Sequence, residues 1–207
     1  MSEITLALIY ITVVVAAVTV ELTHFKRVAI TLTLYGILTT LLTILEGEII
    51  GSILNLIVVG IVIPLLIIKV AQKIDFKEKE KYFSTATVVI ALVFAIGLVT
   101  VLLFAVPVVD WKLSIALALA GVGTYALILK GNLIKMAIGY TIYDSALHVF
   151  FSLYALQYEA PELLMILALT VIDGLLLGIV VTILYLAINT YQKTGTIDSW
   201  SLRRLRW

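Results

Sequence analysis

The 207 residues are 63% hydrophobic and 13% charged, with a mean hydropathy of +1.20 and a formal net charge of +1. A soluble core of this size cannot hide that much apolar surface, so the composition indicates an integral membrane protein, and the lack of a basic excess argues against nucleic-acid binding. The absence of cysteine excludes disulfides, Cys-ligated iron–sulfur clusters and Cys zinc sites; two histidines, His24 and His148, are too few for a histidine-ligated di-haem pair.

The N-terminal "MSEITLALIY" has no basic region and no small-residue cleavage site, so it reads as a retained first helix and not a signal peptide. Seven apolar runs are long enough to cross about 30 Å of hydrocarbon at about 1.5 Å per residue. They are Ile4 to Val20, Val28 to Leu45, Ile49 to Val70, Thr85 to Val106, Leu113 to Leu129, Leu133 to Leu156 and Leu163 to Ile188. The third contains "GIVIPLL", where Pro64 removes a backbone donor and is expected to kink the helix. Pro107 ends the fourth run, and Pro161 stands near the first turn of the seventh. Connections are short except for "KIDFKEKEKY", and there is no internal repeat.

Basic residues set the orientation. Lys26, Arg27, Lys69, Lys73, Lys77, Lys79, Lys81, Lys130, Lys135, Lys193, Arg203, Arg204 and Arg206 all fall in or beside the odd connections or the tail; only Lys112 stands in an even one. The positive-inside rule then predicts an all-α, seven-helix protein with its N-terminus outside and its C-terminus cytoplasmic. In the tail "SWSLRRLRW", Trp200 and Trp207 interleave with arginines, a pattern suited to headgroups; a solvated tail is the alternative.

Of the 13 acidic residues, only Asp144 and Asp173 lie well inside a span. A carboxylate at the bilayer centre costs about 2.5–3.5 kcal/mol on the lenient insertion scale, so it needs a reason to be there. Tyr140, Thr141, His148 and Ser152 stand at i−4, i−3, i+4 and i+8 from Asp144 and form one polar stripe, with Ser145 slightly to its side. The stripe holds a carboxylic acid and an imidazole, both able to exchange protons. Asp173 precedes Gly174 and Gly178, a spacing that admits a close helix neighbour, and Gly139 offers a small surface on helix six. The short "QYEAPE" connection makes helices six and seven neighbours, so the two aspartates are expected to share a polar interior. The plainer alternative is a neutral Asp144 donating to a backbone carbonyl beside a satisfied interior histidine. No third ligand lies near Asp144 and His148 in sequence, which disfavours a metal site.

"KGNLIKMAIGYTIYDSALHVFF" resembles the middle helix of the smallest membrane subunit of complex I, the NuoK-like or 4L family, and of the Mrp antiporter C subunit. "TVIDGLLLGIVVTILYL" and "TGTIDSWS" are similar to that family's last helix and tail. The longer chain is closer to component E of hydrogenase-4, from formate hydrogenlyase-type complexes. The shared features are a four-helix extension, the helix carrying Gly139, Tyr140, Asp144 and His148, "APEL" at Ala160 and "GTID" at Gly195. The resemblance is specific over about the last 80 residues and loose before them. The first intramembrane acid of the complex I subunit corresponds to Thr141 here, with Asp144 one turn further on; the second corresponds to Asp173. Around Pro64 the chain reads "VVGIVIP", without the membrane lysine of the hydrogenase-4 relatives.

The resemblance implies a division into a membrane extension over 1–110, a NuoK/MrpC-like three-helix unit over 111–192 and a cytoplasmic tail over 193–207. It implies a non-redox subunit of a group-4 [NiFe]-hydrogenase or related complex, coupling electron transfer to proton or sodium movement beside antiporter-like subunits. Asp144 and Asp173 would be the exchangeable acids, with His148 as relay and Thr141 and Tyr140 assisting. The nickel–iron centre and iron–sulfur clusters would reside in partner subunits, and this chain would hold no cofactor. An Mrp-type antiporter subunit, a standalone transporter and a purely structural scaffold are the alternatives.

Overall fold

The computed structural model describes residues 3–22, 24–45, 47, 49–74, 85–105, 111–157 and 162–198. Most of the "KIDFKEKEKY" connection, Pro107, Pro161 and the tail from Ser199 to Trp207 lie outside these residues.

Seven helical rods form the described part. They are α1 (Glu3–Glu21), α2 (Phe25–Leu45), α3 (Ile50–Ile74), α4 (Thr85–Thr100, continued by a π-helical stretch Val101–Ala105), α5 (Trp111–Leu129), α6 (Leu133–Gln157) and α7 (Glu162–Thr194). Each lies on one of the seven apolar runs. Five of them, α1, α2, α3, α5 and the Ile166–Thr194 part of α7, are long and apolar enough to cross a membrane, and α4 contributes the shorter apolar stretch Ala91–Phe104. Helix α6 is 25 residues long, and Lys135, Asp144 and His148 make it more polar than the others. The chain is a polytopic, all-helical membrane protein.

Threonines fit these apolar helices because their hydroxyls bond back to carbonyls one turn earlier, as Thr12 does to Leu8 at 2.7 Å and Thr19 to Val15 at 2.7 Å. Helix α3 is π-helical over Leu56–Val62, and the Ile63 N–H reaches back to the Val58 carbonyl. Pro64 follows at once. A proline ring collides with the carbonyl four residues earlier, and the wider π turn gives it room.

Two glycine pairs let helices meet backbone to backbone. A Cβ on Gly36 would stand 2.7 Å from the Gly60 Cα, joining α2 to α3. A Cβ on Gly123 would stand 2.8 Å from the Tyr143 nitrogen and 2.9 Å from the Gly139 oxygen, joining α5 to α6. Around these contacts the core is aliphatic, with Ile9, Leu32, Ile63, Ile67, Leu119, Ile134, Ile138 and Ile142 fully buried.

One face of the bundle is tied together by polar contacts. The Asn132 side chain accepts from the Ile134 N–H at 2.9 Å and starts α6. Gly195, at φ +70, ends α7 with its N–H on the Tyr191 carbonyl at 2.8 Å. The chain then folds back, and the Leu133 N–H donates to the Ile197 carbonyl at 3.0 Å. The "KGN" turn and the "GTID" segment, 65 residues apart from Lys130 to Gly195 by their numbering, are thus neighbours.

Candidate functional site

Helices α6 and α7 pack side by side and bring the three charged-type residues of their interiors together. Asp144, His148 and Asp173 are 8%, 0% and 4% exposed. His148 Nδ1 stands 3.7 Å from Asp173 Oδ1, across the helix interface. Asp144, one turn before His148 on α6, is within electrostatic reach of both partners. The two aspartates are both buried and lie on the facing helices α6 and α7.

The hydrogen bonding of this cluster is unusual for a buried site. Neither oxygen of Asp173, neither nitrogen of His148, nor Asp144 Oδ2 has a hydrogen-bond partner among the described residues. At 3.7 Å the histidine–aspartate contact is an ion pair when the ring is protonated, and is too long for a direct hydrogen bond. Buried polar atoms are nearly always partnered, by protein or by water. Among the described residues, Asp144 Oδ2 and the two His148 nitrogens have no backbone carbonyl as partner.

The remaining stripe residues divide. Thr141 and Ser145 are fully buried, and both hydroxyls donate to their own helix, Thr141 to Ala137 at 2.9 Å and Ser145 to Thr141 at 3.1 Å. Their oxygens remain free to accept. Tyr140 is half-buried and packs on the apolar core. The side chain of Ser152 lies outside the described part. Gly174 and Gly178 have nothing within 4 Å of an added Cβ, so the small-residue edge beside Asp173 is used by no helix among the described residues. No three His, Asp or Glu side chains gather as metal ligands among these residues.

Two further polar clusters were not legible in the sequence. Glu21, which reads as an ordinary helix-end acid, is 5% exposed. It accepts from the Tyr125 hydroxyl at 2.7 Å and pairs with Lys130 at 2.7 Å, clamping α1 to α5. Beside it the buried Lys135 ammonium donates to the carbonyls of Leu22 and, at 3.4 Å, Thr19, a cation at the carbonyl end of α1. The second cluster joins α2 and α3. Asn55 Nδ2 donates to Thr39 Oγ1 at 3.0 Å, and the Ser52 hydroxyl donates to Thr43 Oγ1 at 2.6 Å. Tyr35, one turn below Thr39, is fully buried, with its hydroxyl within reach of Ser145 and in the field of Asp144.

Residues 111–207 match the family of NADH-ubiquinone/plastoquinone oxidoreductase chain 4L. The match covers α5, α6, α7 and the segment after them, and so includes Asp144, His148 and Asp173. No curated protein and no solved structure matches the chain.

Proposed function

We propose that this chain is a non-redox membrane subunit of a complex I-like energy-converting assembly, and that Asp144, His148 and Asp173 move protons through its interior. The observation that carries the reading is the His148–Asp173 approach at 3.7 Å, with their polar atoms and Asp144 Oδ2 left unpartnered in a buried interface. The family likeness of residues 111–207 supports the setting. The finer reading is a group-4 [NiFe]-hydrogenase or formate hydrogenlyase-type complex in a prokaryotic inner membrane. In it, antiporter-like subunits lie beside this chain, and nickel–iron and iron–sulfur chemistry is confined to partners.

The chemistry follows from the side chains. A proton on Asp173 passes to His148 Nδ1 through one water, or directly once the 3.7 Å gap closes to hydrogen-bond distance, leaving a carboxylate that faces the imidazolium. The ring then releases a proton from its other nitrogen toward Asp144, one turn away. Each step moves one proton and leaves the site's total charge unchanged until Asp144 gives its proton up. Moving a charge across the membrane works against about 2.3 kcal/mol per 100 mV, so the relay must be driven by the complex and closed at rest.

The test is Asp173→Asn and Asp144→Asn in the assembled complex. Asparagine keeps size and most hydrogen bonding but cannot release a proton. Redox-driven uptake into inverted vesicles should fall while electron transfer to an artificial acceptor and assembly persist. Asp173→Asn should have the larger effect, because the family also has an acid at that position. Normal coupling in the double variant would leave the scaffold reading in its place.

A further inference from the structure

The carboxylates described above lie mid-span, and a relay there needs a connection to a membrane face. The extension before residue 111 supplies polar groups in the right place. Tyr35, Thr39 and Thr43 are spaced by four along α2, so they stack on one face, and all three are buried. Ser52 and Asn55, three apart on α3, are buried against them at 0% and 1% exposure. Together they form a ladder from the α2–α3 turn at Gly47 down to Tyr35, which meets α6 at Ser145 beside Asp144.

Most of the ladder is satisfied, and the exceptions are informative. Thr43 donates to the Thr39 or Thr40 carbonyl at 3.1 Å, and Thr39 donates to the Tyr35 or Gly36 carbonyl. Their hydroxyl protons are committed to the backbone, so they act as acceptors and not as carriers. Among the described residues Asn55 Oδ1 has no protein partner, and the Tyr35 hydroxyl, which has none in hydrogen-bond geometry, stands within reach of Ser145. The hydroxyl can donate and accept and the amide oxygen can only accept; Tyr35 lies where the ladder meets α6, and Asn55 lies one turn away beside Thr39. An amide and a phenol do not persist unpartnered in a hydrocarbon interior, where each such group costs several kcal/mol in general; water meets such groups elsewhere.

We propose that Tyr35 and Asn55 hold a hydrated proton route that links Asp144 to the membrane face bearing the α2–α3 turn. That face carries "EGE" and almost no basic residues, so it is the outer one by the distribution of lysine and arginine. The proposal rests on the relay reading of Asp144, His148 and Asp173. In the transfer, Asp144 gives its proton to a water beside Tyr35, or to the Tyr35 oxygen as that hydroxyl passes its own proton onward. Asn55 only orients the water, since an amide does not exchange its protons on this timescale. The hydroxyl oxygens of Thr39 and Thr43 accept along the way.

Water access can be tested without any coupling activity. The chain has no cysteine, so single cysteines report without background. Thr43→Cys, Asn55→Cys and Leu42→Cys would be placed in the full chain in native membranes. Each would be challenged with a charged methanethiosulfonate from either side. Thr43→Cys and Asn55→Cys should react from the face of the α2–α3 turn, at least about 10-fold faster than Leu42→Cys, which is buried among apolar groups. An Asn55→Cys as inert as Leu42→Cys, or labelled only from the opposite face, overturns the route. In the complex, Tyr35→Phe keeps the ring and removes the hydroxyl, and should slow redox-driven proton uptake about 10-fold or more. Normal uptake in Tyr35→Phe, where Asp173→Asn abolishes it, overturns the route and leaves the relay. Normal uptake in both overturns the relay itself, whereas the labelling result still reads out hydration of the ladder.

Discussion

His148 is the residue that joins the two helices in this cluster, because it approaches Asp173 at 3.7 Å from α6 and can hold a proton on either of two nitrogens. His148→Gln keeps a hydrogen-bonding side chain of similar reach but removes proton exchange. Coupled uptake should fall about 10-fold or more while the complex still assembles; native gel mobility and vesicle uptake check the two halves. The ion pair of Glu21 with Lys130 has a different role. The Glu21 side chain is 3% exposed and lies far from the carboxylate cluster in sequence, so its effect should be on stability. Breaking a buried pair from one side costs about 3–5 kcal/mol, and removing both partners costs less than the sum. A cycle of Glu21→Gln, Lys130→Met and the double variant, measured by thermal unfolding in detergent, should show that coupling with electron transfer and uptake unchanged per assembled complex. Asp144 and Asp173 were legible from sequence because an ionised group in a span is expensive and therefore rare. Tyr35 and Asn55 were not, since neutral polar residues enter apolar helices at modest cost and leave no mark in a count of charges. Glu21 was missed for another reason: its partners Tyr125 and Lys130 are 104 and 109 residues away.

Between helices, small residues decide how closely backbones approach, and they do so unequally. Gly36 with Gly60, and Gly123 with Gly139, sit in crossings where a methyl group would meet backbone atoms at 2.7–3.0 Å or, at Gly60, its own helix's Leu56 side chain at 3.0 Å. Backbone cannot move aside as a flexible side chain can, so these crossings would have to open. Gly174 and Gly178 meet nothing. Gly123→Ala should therefore lower the stability of the isolated chain by about 1–3 kcal/mol, whereas Gly174→Ala and Gly178→Ala should leave it unchanged or slightly raised, since alanine is the better helix former. Melting of the purified chain in detergent decides this; equal losses at Gly123 and Gly174 would contradict the crossing geometry. Sequence periodicity exposed the GxxxG spacing on α7 and the glycine on α6, but could not say which of them faced another helix. The helices themselves were legible because hydrocarbon thickness fixes the length of an apolar run, and five of them are long and apolar enough to cross a membrane. The π-helical stretch of α3 was not, because Pro64 announces a disturbance without specifying how the backbone absorbs it.

Across the whole molecule, contacts distant in sequence fix the alternation of the helices. The Glu21–Lys130 pair puts the end of α1 beside the end of α5, and the Leu133–Ile197 bond puts the start of α6 beside the segment after α7. These ends share one face with Lys26, Arg27 and Lys193, which flank α2 and α7. The Ser52–Thr43 bond joins the end of α2 to the start of α3 on the other face. An anionic inner leaflet and the energetics of insertion hold lysine and arginine on the cytoplasmic side, so the first face is expected to be the inner one. Single cysteines at Ile49, exposed beside the α2–α3 turn, and at Gln192, exposed near the end of α7, separate the alternatives. In right-side-out vesicles an impermeant maleimide should label Ile49→Cys and spare Gln192→Cys, with the pattern reversed in inverted vesicles. Labelling of both from one side would mean an even number of crossings between them and would remove the outer exit assigned to the Tyr35–Asn55 route. Inversion of the whole pattern would keep the fold and turn that route toward the cytoplasm.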